Sequence, residues 1–162
     1  MKDQKPIKRD KAFITLSKDH HFSLLLVWKI RRDLESDVSS KHISSYILEF
    51  FKGDLQDHFK EEEEIVFSKL PGNDVLREQA EKEHKSISIL VEALSENERD
   101  NDLQKQFADS LEAHVRFEER ILFNHLQEIL KPEELEEIFL RRKEHDADRS
   151  KQNRLFASAK HV

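Results

Sequence analysis

Apolar residues recur along this chain at three-, four- and seven-residue intervals, the period of a helix with one buried face. Leu16, His20, Leu24, Val27 and Leu34 share one stripe, which predicts a first helix capped by Thr15 or Ser17 and running to about Glu35. Asp37 to Ser40 breaks the pattern, and a second helix is predicted from about Lys41 to Leu70, stopped by Pro71-Gly72-Asn73. Gly53 lies inside it at a cost of roughly 1 kcal/mol relative to alanine, so close packing or a small irregularity is expected there. A third helix over about Asp74 to Leu94 buries Ala80, His84, Ile87, Val91 and Leu94, and Asn97 to Asn101 ends it. The fourth, about Asp102 to Leu130, aligns Phe107, Leu111, His114, Glu118, Ile121 or Leu122, and His125. Pro132 suits the first turn of a fifth helix. That helix is weakly amphipathic through Leu135, Ile138, Phe139 and Phe156; it is expected to pack across the bundle or mediate self-association, with the tail past about Ala157 fraying.

The polar residues that intrude on these apolar faces form a repeat. His58-Phe-Lys-Glu-Glu62-Glu63-Glu-Ile65-Val66-Phe67 aligns without a gap on His114-Val-Arg-Phe-Glu118-Glu119-Arg-Ile121-Leu122-Phe123. A histidine and a glutamate four residues apart sit one turn from each other on the same face, so both can reach one ion. Lys18-Asp19-His20 and Lys82-Glu83-His84 each open an apolar run upstream of one of these segments. The order is therefore an inward-facing donor set for two metals in a pseudo-twofold four-helix bundle, comprising His20, His58, Glu62, His84, His114 and Glu118.

Solvated acids are the plain alternative, because Glu61 to Glu64 spans a full turn and some must face water. Two copies in register, each with a matching upstream histidine, favour the metal reading, since a buried glutamate costs several kcal/mol unless neutralised, paired or bound to a cation. The alignment selects His20 over its neighbour His21, which matches Lys85. Asp19 and Glu83 fit either partners of the histidines or surface acids, with the surface preferred, and Glu63 and Glu119 are expected to be solvated. His125 lies seven residues past Glu118, about 10 Å along the axis, and reads as a bundle-end histidine. His42 and His145 fall outside the repeat. No catalytic residue is singled out.

Composition narrows the class further. Among 162 residues there are only 2 Gly and 3 Pro against 38% charged residues, which favours long solvated helices and an all-α fold. The net charge of -6 argues against a nucleic-acid partner. No stretch has the length and apolarity of a signal peptide or membrane span, so no membrane partner is expected and a cytoplasmic location is. Without cysteine, any metal must be held by nitrogen and oxygen. The expected organisation is an N-terminal segment over 1–14, a bundle over 15–130, and a C-terminal helix and tail over 131–162.

From about Lys18 to Leu126 the chain resembles the hemerythrin-like, or HHE cation-binding, family, its His20, His58-x3-Glu62, His84 and His114-x3-Glu118 matching the family's cation-binding positions. The resemblance implies an up-down-up-down four-helix bundle holding a non-haem di-iron centre, oxo- or hydroxo-bridged, with bridging carboxylates and terminal histidines. Donor chemistry alone also accommodates zinc or manganese. Oxygen-carrying members place two histidines four apart on the third helix, where this chain has His84 and Ser88, and a His-x4-Asp on the fourth, where it has His114-x3-Glu118. One nitrogen fewer leaves more coordination positions for water or a small ligand, which sets the chain apart from simple oxygen carriage.

Two metal-based functions follow as expectations, beside a non-metal reading as a purely structural bundle. One is binding of oxygen, nitric oxide, peroxide or iron for sensing, sequestration or stress protection. The other is a redox enzyme for peroxide or nitric-oxide detoxification or repair of iron centres, with electrons from a donor protein because no flavin, haem or dinucleotide fingerprint is present. A homodimer is compatible with either. The Phe-rich surroundings are expected to leave no pocket for a large organic substrate.

Overall fold

The computed structural model describes residues 8–160, and side chains as far as Lys151. Among them there is no strand, and the chain forms five helices. Helix α1 is Lys11–Leu34. Helix α2 runs continuously over 40–69, and α3 is Val75–Glu96. Helix α4 covers 101–129, and α5 is Pro132–Lys160. Short connections make consecutive helices antiparallel, and α1 packs against α4, α4 against α3, α3 against α2 and α2 against α1, closing a four-helix bundle. Helix α5 lies outside this ring, along α1 and the second half of α2.

The first helix starts earlier than Thr15 or Ser17. The Asp10 carboxylate accepts the Ala12 N–H at 2.9 Å, and the added turn is held because Ala12 and Phe13 are buried in the core. Asp74 and Asp100 cap α3 and α4 in the same way. The last turn of α5 reaches Lys160; Phe156 as a side chain and the end of the predicted fraying tail lie outside the described residues.

Neither α2 nor α4 is a uninterrupted α-helix. Three π-helical turns break the pattern: Phe51–Leu55 around Gly53, Glu62–Val66 and Glu118–Leu122. Gly53 thus marks the expected irregularity rather than close packing, since a Cβ placed there would meet nothing within 4 Å. The other two turns each open on the glutamate of a His-x3-Glu segment. A π turn inserts a residue and re-phases the helix beyond it, a device frequent at functional sites. Here it leaves Val66 and Phe67, and likewise Leu122 and Phe123, fully buried just past the glutamate.

The core is divided in two. One cluster gathers Phe13, Leu16, Phe67, Ala80, Phe123 and Leu126; the other gathers Ile30, Ile47, Ile87, Leu94, Phe107 and Leu111. Each fully buried large apolar side chain stabilises the fold by about 1.5–3 kcal/mol. Between the two clusters, at one level of all four bundle helices, lies a buried layer of His20, His58, Glu62, His84, His114 and Glu118.

Candidate metal centre

Each bundle helix delivers one histidine to this layer, and α2 and α4 add a glutamate one turn on. Glu62 and Glu118 have no exposed surface, and the histidines are no more than 3% exposed. All six candidate residues therefore converge. His21 instead faces solvent on α1, as the alignment with Lys85 implies.

The Nε2 atoms point inward. Glu62 Oε1 is 3.0 Å from His58 Nε2 and 3.2 Å from His84 Nε2. Glu118 Oε1 is 3.0 Å from His20 Nε2 and 3.1 Å from His114 Nε2. Two overlapping donor groups result, His20-His58-Glu62-Glu118 and Glu62-His84-His114-Glu118, each with its ligand atoms within 4.8 Å of one another. Both glutamates belong to both groups.

The Nδ1 atoms point outward, and here the sequence reading needs correction. His58 Nδ1 is 3.0 Å from Asp19 Oδ2, and His114 Nδ1 is 2.7 Å from Glu83 Oε1, so these half-buried acids, each 30% exposed on its side chain, are partners of histidines and not plain surface acids. The residue before each α1 and α3 histidine thus serves the histidine of the following or facing helix. Glu119 is also not merely solvated: its Oε2 accepts the Ser17 hydroxyl at 2.9 Å and lies 3.3 Å from His20 Nδ1. Glu63, its counterpart, is 43% exposed on its side chain and stands 3.8 Å from His84 Nδ1. The repeat displayed these acids, but spacing could not show that they reach across helices. Ring tautomers set by such outer carboxylates aim the inner nitrogen and raise its basicity.

Electrostatics follow from burial and pairing. Burial disfavours charge on His58 and His114, but Glu62 with Asp19, and Glu118 with Glu83, outweigh it and push both pKa values up to about 10. His20 and His84 are raised for the same reason. Burial and mutual repulsion would raise Glu62, yet His58 and His84 hold it below its usual value; against burial, His114 and His20 hold Glu118 well below.

Phe59 stacks on His84 with ring centroids 3.9 Å apart, and Phe123 stacks on His20 at 5.6 Å, which fixes ring planes and keeps the layer dry. Ser88 turns back, its hydroxyl donating to the His84 carbonyl at 3.0 Å, and offers nothing to the layer. His125 lies at the bundle end, 3.0 Å from the α3 cap Asp74.

Several buried donor atoms are not consumed by the fold. His58 Nε2, His84 Nε2, His114 Nε2, both Glu62 oxygens and Glu118 Oε2 make no hydrogen bond to protein, although they lie close together. Such groups are costly to bury unless something else satisfies them. The donor set of four imidazoles and two carboxylates fits transition-metal cations, and iron among them.

A family model, the hemerythrin HHE cation binding domain, matches residues 14–104, more than half of the chain. The chain belongs to this family. The HHE match contains His20, His58, Glu62 and His84, while His114 and Glu118 lie past its end and join the layer through the fold. No curated protein and no solved structure gives a significant match. Membership of the HHE family makes this a cation-binding protein, with the buried His/Glu layer as the place able to hold a metal. No described helix is long and apolar enough to cross a membrane.

A further group, Asp57, Glu61 and His145, joins α2 to α5. Arg142 occupies it: its Nη1 is 2.5 Å from Glu61 Oε1, both residues are 2% exposed, and Arg149 Nη1 stands 3.7 Å from Asp57. With two guanidinium groups already present, this cluster reads as the clamp that docks α5 on the bundle. Neither Glu61 nor Arg142 stood out in the sequence, because a single arginine in a charge-rich helix has no period to mark it.

Proposed function

We propose that this chain is a hemerythrin-like di-iron protein in which Glu62 and Glu118 would be shared between two ions, with His20 and His58 holding one and His84 and His114 the other. The observation that carries the reading is the double membership of the glutamates: each touches one histidine of either donor group. Bound iron would supply reversible redox chemistry and coordination positions for small ligands. The residues' part is to hold it rigidly. Asp19, Glu83 and Glu119 orient three of the rings, and Phe59 and Phe123 exclude water.

With Ser88 tied to its own helix, six side chains serve two ions, fewer than two octahedral sets require. Oxygen, nitric oxide or peroxide is the ligand class we assign to the remaining positions, in a sensing, sequestering or protective role. The test is the absorption spectrum of anaerobically iron-loaded protein before and after each of the three. A reversible band supports ligand binding, sustained turnover supports a redox enzyme instead, and a centre inert to all three leaves iron storage.

A further inference from the structure

Beside the layer, between α1, α2 and α5, lies a cavity of about 280 Å³ lined by Asp19, Phe22, Ser23, Phe50, Asp54, Leu55, His58 and Arg149. The cavity meets the outer side of the site. It includes Asp19, which contacts His58 Nδ1, whereas His58 Nε2 faces the donor cluster. Whatever fills it is therefore distinct from a ligand of the metals.

Its lining specifies the chemistry. Phe22, Phe50 and Leu55 give it apolar walls. The charged groups are already engaged: Asp19 with His58 at 3.0 Å, and Asp54 with Arg149 at 2.8 Å. A charged guest would lose its hydration and meet no free counter-charge among the described residues. Ser23 differs. It is 3% exposed, lines the cavity, and its hydroxyl has no hydrogen-bond partner among the described residues. This hydroxyl, unpaired by protein and open to the cavity, can pair with a guest that carries a hydrogen-bonding group. The volume lies just below the range of drug-sized sites, which suits a single-ring or short-chain molecule and not a nucleotide.

We infer that this cavity is a binding site for a small neutral organic molecule carrying one hydroxyl or carbonyl group, with Ser23 as its hydrogen-bond partner and Phe22, Phe50 and Leu55 as its walls. The inference stands on the cavity and is independent of the metal reading, so its test is run on both chelator-treated and zinc-loaded full-length protein.

Phenol, benzoate and benzylamine, three probes of similar size and different charge, are titrated while NMR shifts are followed at Ser23, Phe50, Leu55 and His58. Phenol should give saturable shifts centred on these residues in both forms, and the two charged probes should bind roughly tenfold or more weakly. Ser23→Ala should weaken phenol about fivefold, the effect of one lost hydrogen bond. Phe22→Ala, at an exposed wall position, should weaken it too, whereas Ile89→Ala on α3 should not. Absence of saturable shifts, equal binding of the charged probes, or unchanged phenol affinity in both Ser23→Ala and Phe22→Ala would overturn the assignment.

Discussion

Glu62 and Glu118 occupy equivalent places in the two halves of the bundle: each is fully buried, opens a π turn, and reaches one histidine of either donor group. Two carboxylates brought within 4.8 Å of each other repel, and the four imidazoles around them offset this only when protonated. Cations between the glutamates would remove the repulsion and release those protons together.

Substitution of either glutamate should therefore empty both positions. Glu62→Ala and Glu118→Ala are each expected to lose most bound metal, as is His20→Ala for one ion, while Glu63→Ala and His21→Ala stay close to wild type. Elemental analysis of the purified variants reads this directly. Equal losses in Glu62→Ala, Glu118→Ala and Glu63→Ala would point to an unspecific acidic surface.

The outer acids should act more weakly and unequally. Glu83→Gln and Glu119→Gln remove the partners of His114 and His20 and should lower metal affinity roughly 10- to 100-fold, as is usual for such partners. Competition against a chelator of known affinity measures it. Unchanged affinity in both variants would make these contacts incidental.

Much of this was legible before the structure. The His-x3-Glu repeat and the two Lys-acid-His openings named every residue of the layer, because two copies in register, each with an upstream histidine in an apolar stripe, outweigh the solvated alternative that a single copy would leave. Helix boundaries at Pro71-Gly72 and Pro132 were equally plain. What escaped were relations between helices. The reach of Asp19 to His58 and of Glu83 to His114 depends on how helices are rotated against each other, which no single-helix period encodes. The π turns at Glu62 and Glu118 escaped, unlike the irregularity at Gly53, because the inserted residue is of the same apolar or acidic type as its neighbours.

Metal-free protein should show an inverted pH dependence. His58 and His114 have folded pKa values of about 10, above the unfolded value of roughly 6.5, so the stability they contribute is full below about 6.5 and is lost as pH rises towards 10. Glu118 has a depressed value, so its contribution is full above the usual carboxylate range and is lost as pH falls through that lower value. Denaturation of chelator-treated protein should thus give greater stability at pH 6 than at pH 9. A flat or rising profile over that interval would contradict the charged-layer description.

The α5 clamp can be separated from the metal layer. Arg142→Met leaves only His145, 3.7 Å away, to face the buried Glu61 and should cost up to about 3–5 kcal/mol, read as a lower urea midpoint, with the Glu61→Gln/Arg142→Met pair recovering part of the loss. If Arg142→Met is silent, α5 is not held by this ion pair.

The central claim is a two-ion centre bridged by Glu62 and Glu118, and the most direct measurement is the metal content of protein produced with ample iron. The bridged layer predicts about two iron atoms per chain. A content that stays at zero across iron, manganese and zinc would contradict it and leave a bundle with a buried, purely proton-neutralised polar layer.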